Sequence, residues 1–200
     1  MTTTLAKAKR AVTGGGIVAV LTALALTLLG TSNAFAVDKS LTFSGSFPLI
    51  GTQSVATVTH VNVPASVKRG TTVTVPFSID VNAGQTAADG LRLVGATQIS
   101  GTITASVSVR ASNNTVYNVP VSLPIGATPV PATGPLTFTA SGSVAFALPA
   151  SAATGPATVS VNPNASSHIV TNSALGTFDV ALTLSPATQN TTLGTTNITS

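Results

Sequence analysis

The sequence offers few residues that could carry nucleophilic or acid–base chemistry. Serine and threonine are abundant, but only His60 and His168 could serve as the base that activates a hydroxyl. A hydrolase needs a nucleophile, a base beside it and a group that orients the base. Folding could bring His168 and Asp179 beside a serine, yet Ser44-Gly45-Ser46-Phe47 lacks the flanking glycine of a G-x-S-x-G turn. We therefore expect His60 to point outward from a strand and His168 to lie in a loop, and we predict that the protein is not an enzyme.

The acidic residues are too scattered to predict a metal or glycosidase site. A structural zinc site needs about four Cys or His ligands, and this chain has no cysteine and two distant histidines. Calcium favours clustered carboxylates, and a glycosidase needs two carboxylates across a cleft. Asp80 and Asp89 flank residues 82–86 and are expected to be turn residues. We predict no catalytic, cofactor-binding or metal-binding residues, and no cofactor.

Motifs for nucleotides and sugars are also weak. Gly14-Gly15-Gly16 lies within the first 36 residues, which we expect to be a leader, so it is not taken as a phosphate-binding loop. The chain has no tryptophan, and Tyr117 is its single tyrosine, which we expect at the rim of the core rather than under a sugar ring. Asn190-Thr191-Thr192 and Asn197-Ile198-Thr199 match glycosylation sequons by letter only.

The first 36 residues are organised as a signal peptide. Basic residues within positions 7–10 precede an apolar run over residues 17–29, and Ala34-Phe35-Ala36 supplies the small residues of a cleavage site. The apolar run is shorter than the roughly 20 residues that span a bilayer. We expect cleavage before Val37, no stable membrane span afterwards, and a secreted or extracellular protein that is free or associated with the cell wall.

The chain beyond residue 36 carries little charge. The whole sequence has a formal charge of +4, but three of its eight basic residues precede the expected cleavage site, which leaves five against four aspartates. So few cations cannot displace the counterions of a nucleic acid, and we expect no nucleic-acid partner. A net charge near zero weakens repulsion between copies and favours association.

Alternating apolar residues predict an all-β fold. Val73, Val75, Phe77, Ile79 and Val81 alternate with polar residues and proline, as in a half-buried strand. The pattern recurs several times, with turn signals every 8–12 residues, which is typical of a β-sandwich or a barrel. No amphipathic helix is predicted. We assign residues 1–36 to the signal peptide, 37–184 to one β domain and 185–200 to a flexible Thr/Asn-rich tail.

Three stretches resemble a known family. They are Phe47-Pro48-Leu49-Ile50-Gly51, then Gly90-Leu91-Arg92-Leu93-Val94-Gly95-Ala96, and then Pro131-Ala132-Thr133-Gly134-Pro135-Leu136-Thr137-Phe138-Thr139-Ala140-Ser141-Gly142. In order and spacing they resemble secreted actinobacterial domains of unknown function, and the resemblance implies an immunoglobulin-like antiparallel β-sandwich.

The resemblance also implies a departure from the family pattern. Many members link their first and last strands by a Cys pair, whereas here Gly45 or a neighbour takes the first position and no cysteine occurs near Leu182. The chain is therefore similar to a cysteine-less variant. The resemblance implies a location outside a Gram-positive cell, but it brings no catalytic or ligand-binding residues.

Two functions fit these observations. The first is an exported, non-enzymatic structural or adhesive protein of the cell envelope, which contacts wall polymer or copies of itself through a surface rich in hydroxyls. The alternative is a carrier or binding module for an apolar ligand such as an envelope lipid. The volume of any internal cavity distinguishes the two, because a core at normal packing density leaves no room for a lipid.

Overall fold

The computed structural model describes residues 34–200. In order along the chain, its elements are β1 (Ala34–Phe47), β2 (Gly51–Pro64), β3 (Ser66–Lys68), β4 (Thr72–Ala83), α1 (Gly84–Leu93), β5 (Gln98–Arg110), β6 (Val116–Pro129), β7 (Leu136–Ala147), β8 (Gly155–Val161), β9 (Asn164–Thr171), β10 (Thr177–Leu184) and β11 (Thr192–Thr199). The signal peptide expected over residues 1–36 lies outside the described residues, except for residues 34–36 at the start of β1.

Eight strands form a closed antiparallel barrel. Their order is β5-β6-β7-β4-β2-β1-β10-β9, and β9 pairs back with β5 from Ile99 opposite Thr171 to Thr104 opposite Ser166. The expected immunoglobulin-like sandwich is therefore wrong, because a sandwich would leave β5 and β9 as free edges. The all-β class is confirmed. Alternation of apolar and polar residues is the same in both architectures, whereas closure depends on which distant edges meet.

One strand of the barrel is shared between two neighbours. The first half of β5 pairs with β9, and its second half pairs with β8 from Val107 opposite Val161 to Arg110 opposite Thr158. Residues 162–163 interrupt what would be one long strand, and Pro163 cannot donate to a ladder. β11 then adds to β8, and β3 adds to β11 in the parallel direction.

The C-terminal segment differs from the flexible tail expected over residues 185–200. Residues 192–199 form β11, in which Leu193 and Ile198 are only 3% and 1% exposed. Both side chains belong to the hydrophobic core, and the strand pairs with β8. The ordered domain therefore extends beyond Leu184 to the end of β11.

The segment after β4 is a helix, where residues 82–86 were expected to form a loop with Asp89 in a turn. Ala87, Ala88 and Leu91 form one buried face of α1, and Arg92 lies in the last turn, where a cation is favourable. The helix was missed because its buried face is small and two glycines, poor helix formers, lie within it.

The interior of the barrel is packed differently at its two ends. We call the end that carries the β1–β2 turn (residues 48–50) and α1 the hairpin end, and the opposite one the far end. At the far end, side chains such as Val63, Val109 and Phe146 leave a gap of only about 10 Å³. At the hairpin end the inward side chains do not meet, and the barrel is hollow.

Candidate ligand cavity

The hollow half of the barrel forms an apolar cavity. The centre of a water-sized sphere can move through about 90 Å³ of it. Inward positions on most barrel strands supply its wall, including Val55, Ile79, Ile103, Phe138 and Ile169. Every lining residue is uncharged, so the cavity is suited to apolar matter rather than to ions.

The opening of the cavity lies at the hairpin end. The β1–β2 turn lines it together with α1 and Leu175 of the β9–β10 connection. Ile50 packs so closely on Gly90 of α1 that a Cβ atom there would lie 2.7 Å from Ile50 Cγ2. Leu49 is 66% exposed, and Leu93 at the end of α1 is 84% exposed. The hairpin end thus presents apolar side chains to solvent.

The turn at Leu49 is conformationally unusual. Leu49 has φ of 69°, a left-handed conformation that costs energy for a side chain other than glycine. Gln53 supports the turn, because its Nε2 donates a hydrogen bond to the Ile50 carbonyl at 2.8 Å. The turn thus holds this unfavourable conformation where it lines the cavity.

Arg92 ties the elements around the opening together. Its guanidinium donates to the Pro131 carbonyl and to the Asp89 carboxylate, and Gln85 Nε2 donates to Asp89 Oδ1 at 2.9 Å. The three stretches that carried the family resemblance therefore lie at the same end of the barrel. In the sequence these stretches indicated only a family resemblance, and no residue pattern there predicted that they would lie together around a cavity.

Three hydroxyl residues interrupt the apolar wall. Thr57 Oγ1 donates to the Leu41 carbonyl at 3.1 Å. Thr59 and Ser167, 3% and 7% exposed, also line the cavity, and neither has a side-chain hydrogen-bond partner within residues 34–200. The only sealed, unpartnered side-chain atom in that range is Thr196 Oγ1, so the hydroxyls of Thr59 and Ser167 border open space.

His60 lies on the outer face of β2, as expected. Its Nδ1 is 2.7 Å from Asp38 Oδ1 and its Nε2 is 3.0 Å from Asp80 Oδ2, while Thr139 Oγ1 donates to Asp80 Oδ1 at 2.6 Å. Hydrogen bonds to Asp38 and then Asp80 raise the pKa of His60. Hydrogen bonds from Thr139 and then His60 lower the pKa of Asp80. Both ring nitrogens are occupied, so His60 has no nitrogen left for a serine.

His168 lies on β9 rather than in the expected loop. It is directly opposite Asp179 on β10, and its Nδ1 is 2.7 Å from Asp179 Oδ1. The structure thus brings together the histidine and aspartate of the triad considered from the sequence. Both side chains are on the exposed outer surface, and no serine hydroxyl in residues 34–200 bonds to the ring. Among residues 34–200, the pair therefore has no serine nucleophile at hydrogen-bond distance.

The remaining candidates lie apart from one another. Asp80 is on β4 rather than in a turn, Asp89 is on α1, and Tyr117 is half-buried on β6 against the core. Asn190 precedes β11 and Asn197 lies within it. In the described part of the chain, no group of three or more His, Asp or Glu side chains is arranged to hold a metal ion. No helix between residues 34 and 200 is both long and apolar enough to cross a membrane.

A model of a known protein family matches most of the described residues. The family model described as "Family of unknown function (DUF6801)" matches residues 42–194, from β1 into β11. Neither a curated protein nor a solved structure matches the chain.

Proposed function

The chain belongs to this family of unknown function, and from that premise we propose that it binds a small apolar molecule inside the hairpin half of its barrel. The observation that supports the proposal is the contrast between the two ends of the interior. The far end is filled by side chains, whereas the hairpin end is hollow and lined by uncharged, mostly aliphatic and aromatic residues. Eight-stranded barrels are just wide enough to hold one small ligand.

The energetics favour an occupant. An apolar cavity left empty lowers stability, because the lining atoms lose dispersion contacts that a ligand would restore. Cavities lined by Leu, Ile and Phe stay dry and bind apolar molecules of matching size. The exposed Leu49 and Leu93 at the hairpin end would reduce the contact of such a molecule with water as it enters.

A matched pair of substitutions tests the proposal. Ala165 on β9 lines the cavity, whereas Ala181 on the adjacent β10 is exposed on the outer face. Ala165→Leu should weaken binding of the neutral fluorescent probe N-phenyl-1-naphthylamine at least tenfold by filling its space. Ala181→Leu makes the same chemical change outside the barrel and should leave binding unchanged. Equal binding by both folded variants, or no binding by the unmodified protein, would overturn the proposal.

The location is a second part of this proposal. We place the protein outside an actinobacterial cell, after removal of residues 1–36, on the strength of the basic, apolar and small-residue segments of the leader and of the family resemblance. N-terminal sequencing of the protein from culture medium and from a wall fraction tests this placement. A first residue other than Val37 would contradict the cleavage site.

An envelope-binding, non-enzymatic structural or adhesive role is the second candidate function. It is supported by a groove on the outer face of the barrel, where Asp38, Ser78, Ser141 and Ser143 surround the small Gly142. Hydroxyls and a carboxylate in a groove could hydrogen-bond to a wall polysaccharide. Ser143→Trp should then reduce co-sedimentation with purified cell wall, whereas Ser122→Trp, on an exposed position of β6, should not.

A further inference from the structure

We propose that the ligand is uncharged and elongated and carries a single oxygen atom near one end, as in a long-chain alcohol or ketone. We propose further that this oxygen forms a hydrogen bond with the hydroxyl of Thr59. The inference rests on the proposed function and adds the chemical class of the ligand to it. Its starting point is the pair of hydroxyl groups, on Thr59 and Ser167, that border the cavity and have no hydrogen-bond partner among residues 34–200.

Thr59 differs from its neighbour on the same strand. Thr57 also faces the cavity, but its hydroxyl is already bonded to the Leu41 carbonyl across the β1–β2 pair. Thr59 is 3% exposed against 8% for Thr57, and its hydroxyl has no such bond within residues 34–200. Burying a hydroxyl without a hydrogen bond costs free energy, so a polar group in the cavity would remove a penalty that the empty protein carries.

The position of Thr59 sets the orientation of the ligand. Val55, Thr57 and Thr59 are successive inward residues of β2, and Thr59 is the furthest of the three from the β1–β2 turn. At about 3.3 Å per residue, Val55 and Thr59 are about 13 Å apart along the strand. A molecule that bonds to Thr59 through its end therefore extends its apolar chain toward the opening.

The cavity wall also limits the charge of the ligand and the number of its polar groups. None of the residues that line the cavity is charged, and an unpaired buried charge is very costly. Lys39 is paired opposite Thr59 on β1 but is not among the lining residues, and the octanoate competitor described below tests whether its ammonium group can pair with a bound carboxylate. A hydroxyl can both donate and accept one bond, which suits an alcohol or a carbonyl oxygen equally. Water is a poorer occupant, because a buried water needs two to four polar partners.

The test compares octanol, octane and octanoate as competitors of the fluorescent probe in the full-length protein. Thr59→Val replaces the hydroxyl by a methyl group of the same shape and should weaken octanol binding about fivefold, the net value of one hydrogen bond. The same substitution should leave octane binding unchanged. Octanoate at neutral pH should bind at least tenfold more weakly than octanol.

Thr57→Val is the matched control, because it makes the same change in the same wall at a hydroxyl that is already bonded. It should leave the ratio of octanol to octane affinity at the value of the unmodified protein. Octanol binding that is unaffected by Thr59→Val, or weakened only by Ser167→Ala, would overturn the assignment to Thr59. Octanoate binding as tight as octanol would overturn the uncharged class. Failure of both octane and octanol to bind would instead overturn the proposed function itself.

Discussion

Gly45 on β1 lies directly opposite Leu182 on β10, and a Cβ atom on Gly45 would be 2.7 Å from Leu182 Cδ2. Val180 Cγ1 and the Ala181 carbonyl oxygen are nearly as close, at 2.8 and 2.9 Å. Only glycine fits, because the backbone of β10 and two apolar side chains already occupy the space. The close contact between β1 and β10 thus leaves no room at Gly45 for the cysteine side chain that the resemblance would imply at or near this position.

Gly45→Ala should therefore destabilise the barrel by about 1–3 kcal/mol, the usual cost of overpacking a core. Gly126→Ala is the control, because Gly126 is exposed on β6 with no atom in reach of an added Cβ. Urea unfolding should show the loss for the first variant alone. Equal midpoints for the two variants would contradict the tight contact between β1 and β10.

Thr196→Val should stabilise the protein. The Thr196 hydroxyl at the far end is buried without a hydrogen-bond partner in residues 34–200, and valine has nearly the same shape without the polar oxygen. Removing an unsatisfied buried group should raise the free energy of unfolding by about 1–2 kcal/mol. Thr57→Val should lower it by about 1 kcal/mol, since it deletes a satisfied bond to Leu41. Thermal or urea unfolding measures both changes in the free energy of unfolding. A loss of stability in both variants would contradict the assignment of Thr196 as unpartnered.

Deletion of residues 185–200 should abolish cooperative unfolding. The deletion removes β11, exposes the edges of β8 and β3, and takes away the buried Leu193 and Ile198. The point variant Ile198→Ala should cost about 2–4 kcal/mol, whereas Thr195→Ala, at an exposed position of β11, should cost little. Cooperative unfolding of a fragment that ends at Leu184 would contradict this prediction and would support a flexible tail over residues 185–200.

Stability should depend on pH through His60. Its pKa is raised above the ordinary value of 6.5 by Asp38 and then Asp80, so its contribution is complete below pH 6.5 and is lost as the pH rises through the raised pKa. The pKa of Asp80 is lowered from 3.8 by Thr139 and then His60, so its contribution is present above pH 3.8 and is lost as the pH falls through the lowered pKa. The cluster therefore contributes most between pH 3.8 and 6.5.

Urea midpoints measured from pH 5.5 to 8.5 check this dependence. The difference in midpoint between the unmodified protein and His60→Gln should shrink as the pH rises. Ser143→Ala, an exposed serine near His60 on the same outer face, should follow the unmodified protein at every pH. A difference that does not change with pH would contradict the raised pKa of His60.

Loss of the Arg92 side chain should loosen α1. Arg92→Met keeps the apolar stem but removes the hydrogen bond to Pro131 and the ion pair with Asp89. We expect a cost of about 1 kcal/mol and faster hydrogen exchange in residues 84–93. Arg110→Met, at the exposed end of β5, is the control and should leave exchange in the helix unchanged. Unchanged protection of α1 in both variants would show that Arg92 does not hold the helix.

Much of the strand content could be read from the sequence. The alternation of Val73, Val75, Phe77, Ile79 and Val81 correctly predicted β4 and most of its buried face. Closure of the sheet into a barrel could not be predicted. Alternation of apolar and polar residues shows which face of the sheet a residue occupies, but it does not show which strands lie next to each other. β11 was missed because its outward positions are polar and only two large apolar residues mark its inner face.

The sequence allowed an internal cavity as one alternative, but it could not predict that the cavity exists or where it lies. A hollow interior depends on the volume left between inward side chains, which follows from the closure of the barrel rather than from any one strand. The unpartnered Thr59 could not be distinguished from Thr57 in the sequence, since both are inward threonines of β2. The pairing with β1 gives the Thr57 hydroxyl a partner in the Leu41 carbonyl, whereas the Thr59 hydroxyl has none among the described residues 34–200.

The meeting of β1 with β10 also governs the order in which the chain can fold. β1 is the first described strand, and β10 and β9 are near the C-terminus, so the last gap in the cavity wall closes only when almost the whole chain has been synthesised. Until then the apolar inner face of the sheet formed by β1, β2, β4 and β7 stays exposed to water. Pairings between such distant strands form slowly, and this late step is where aggregation competes with folding. A ligand that is present during closure would be enclosed by the last two strands and would not need to pass the hairpin end at all.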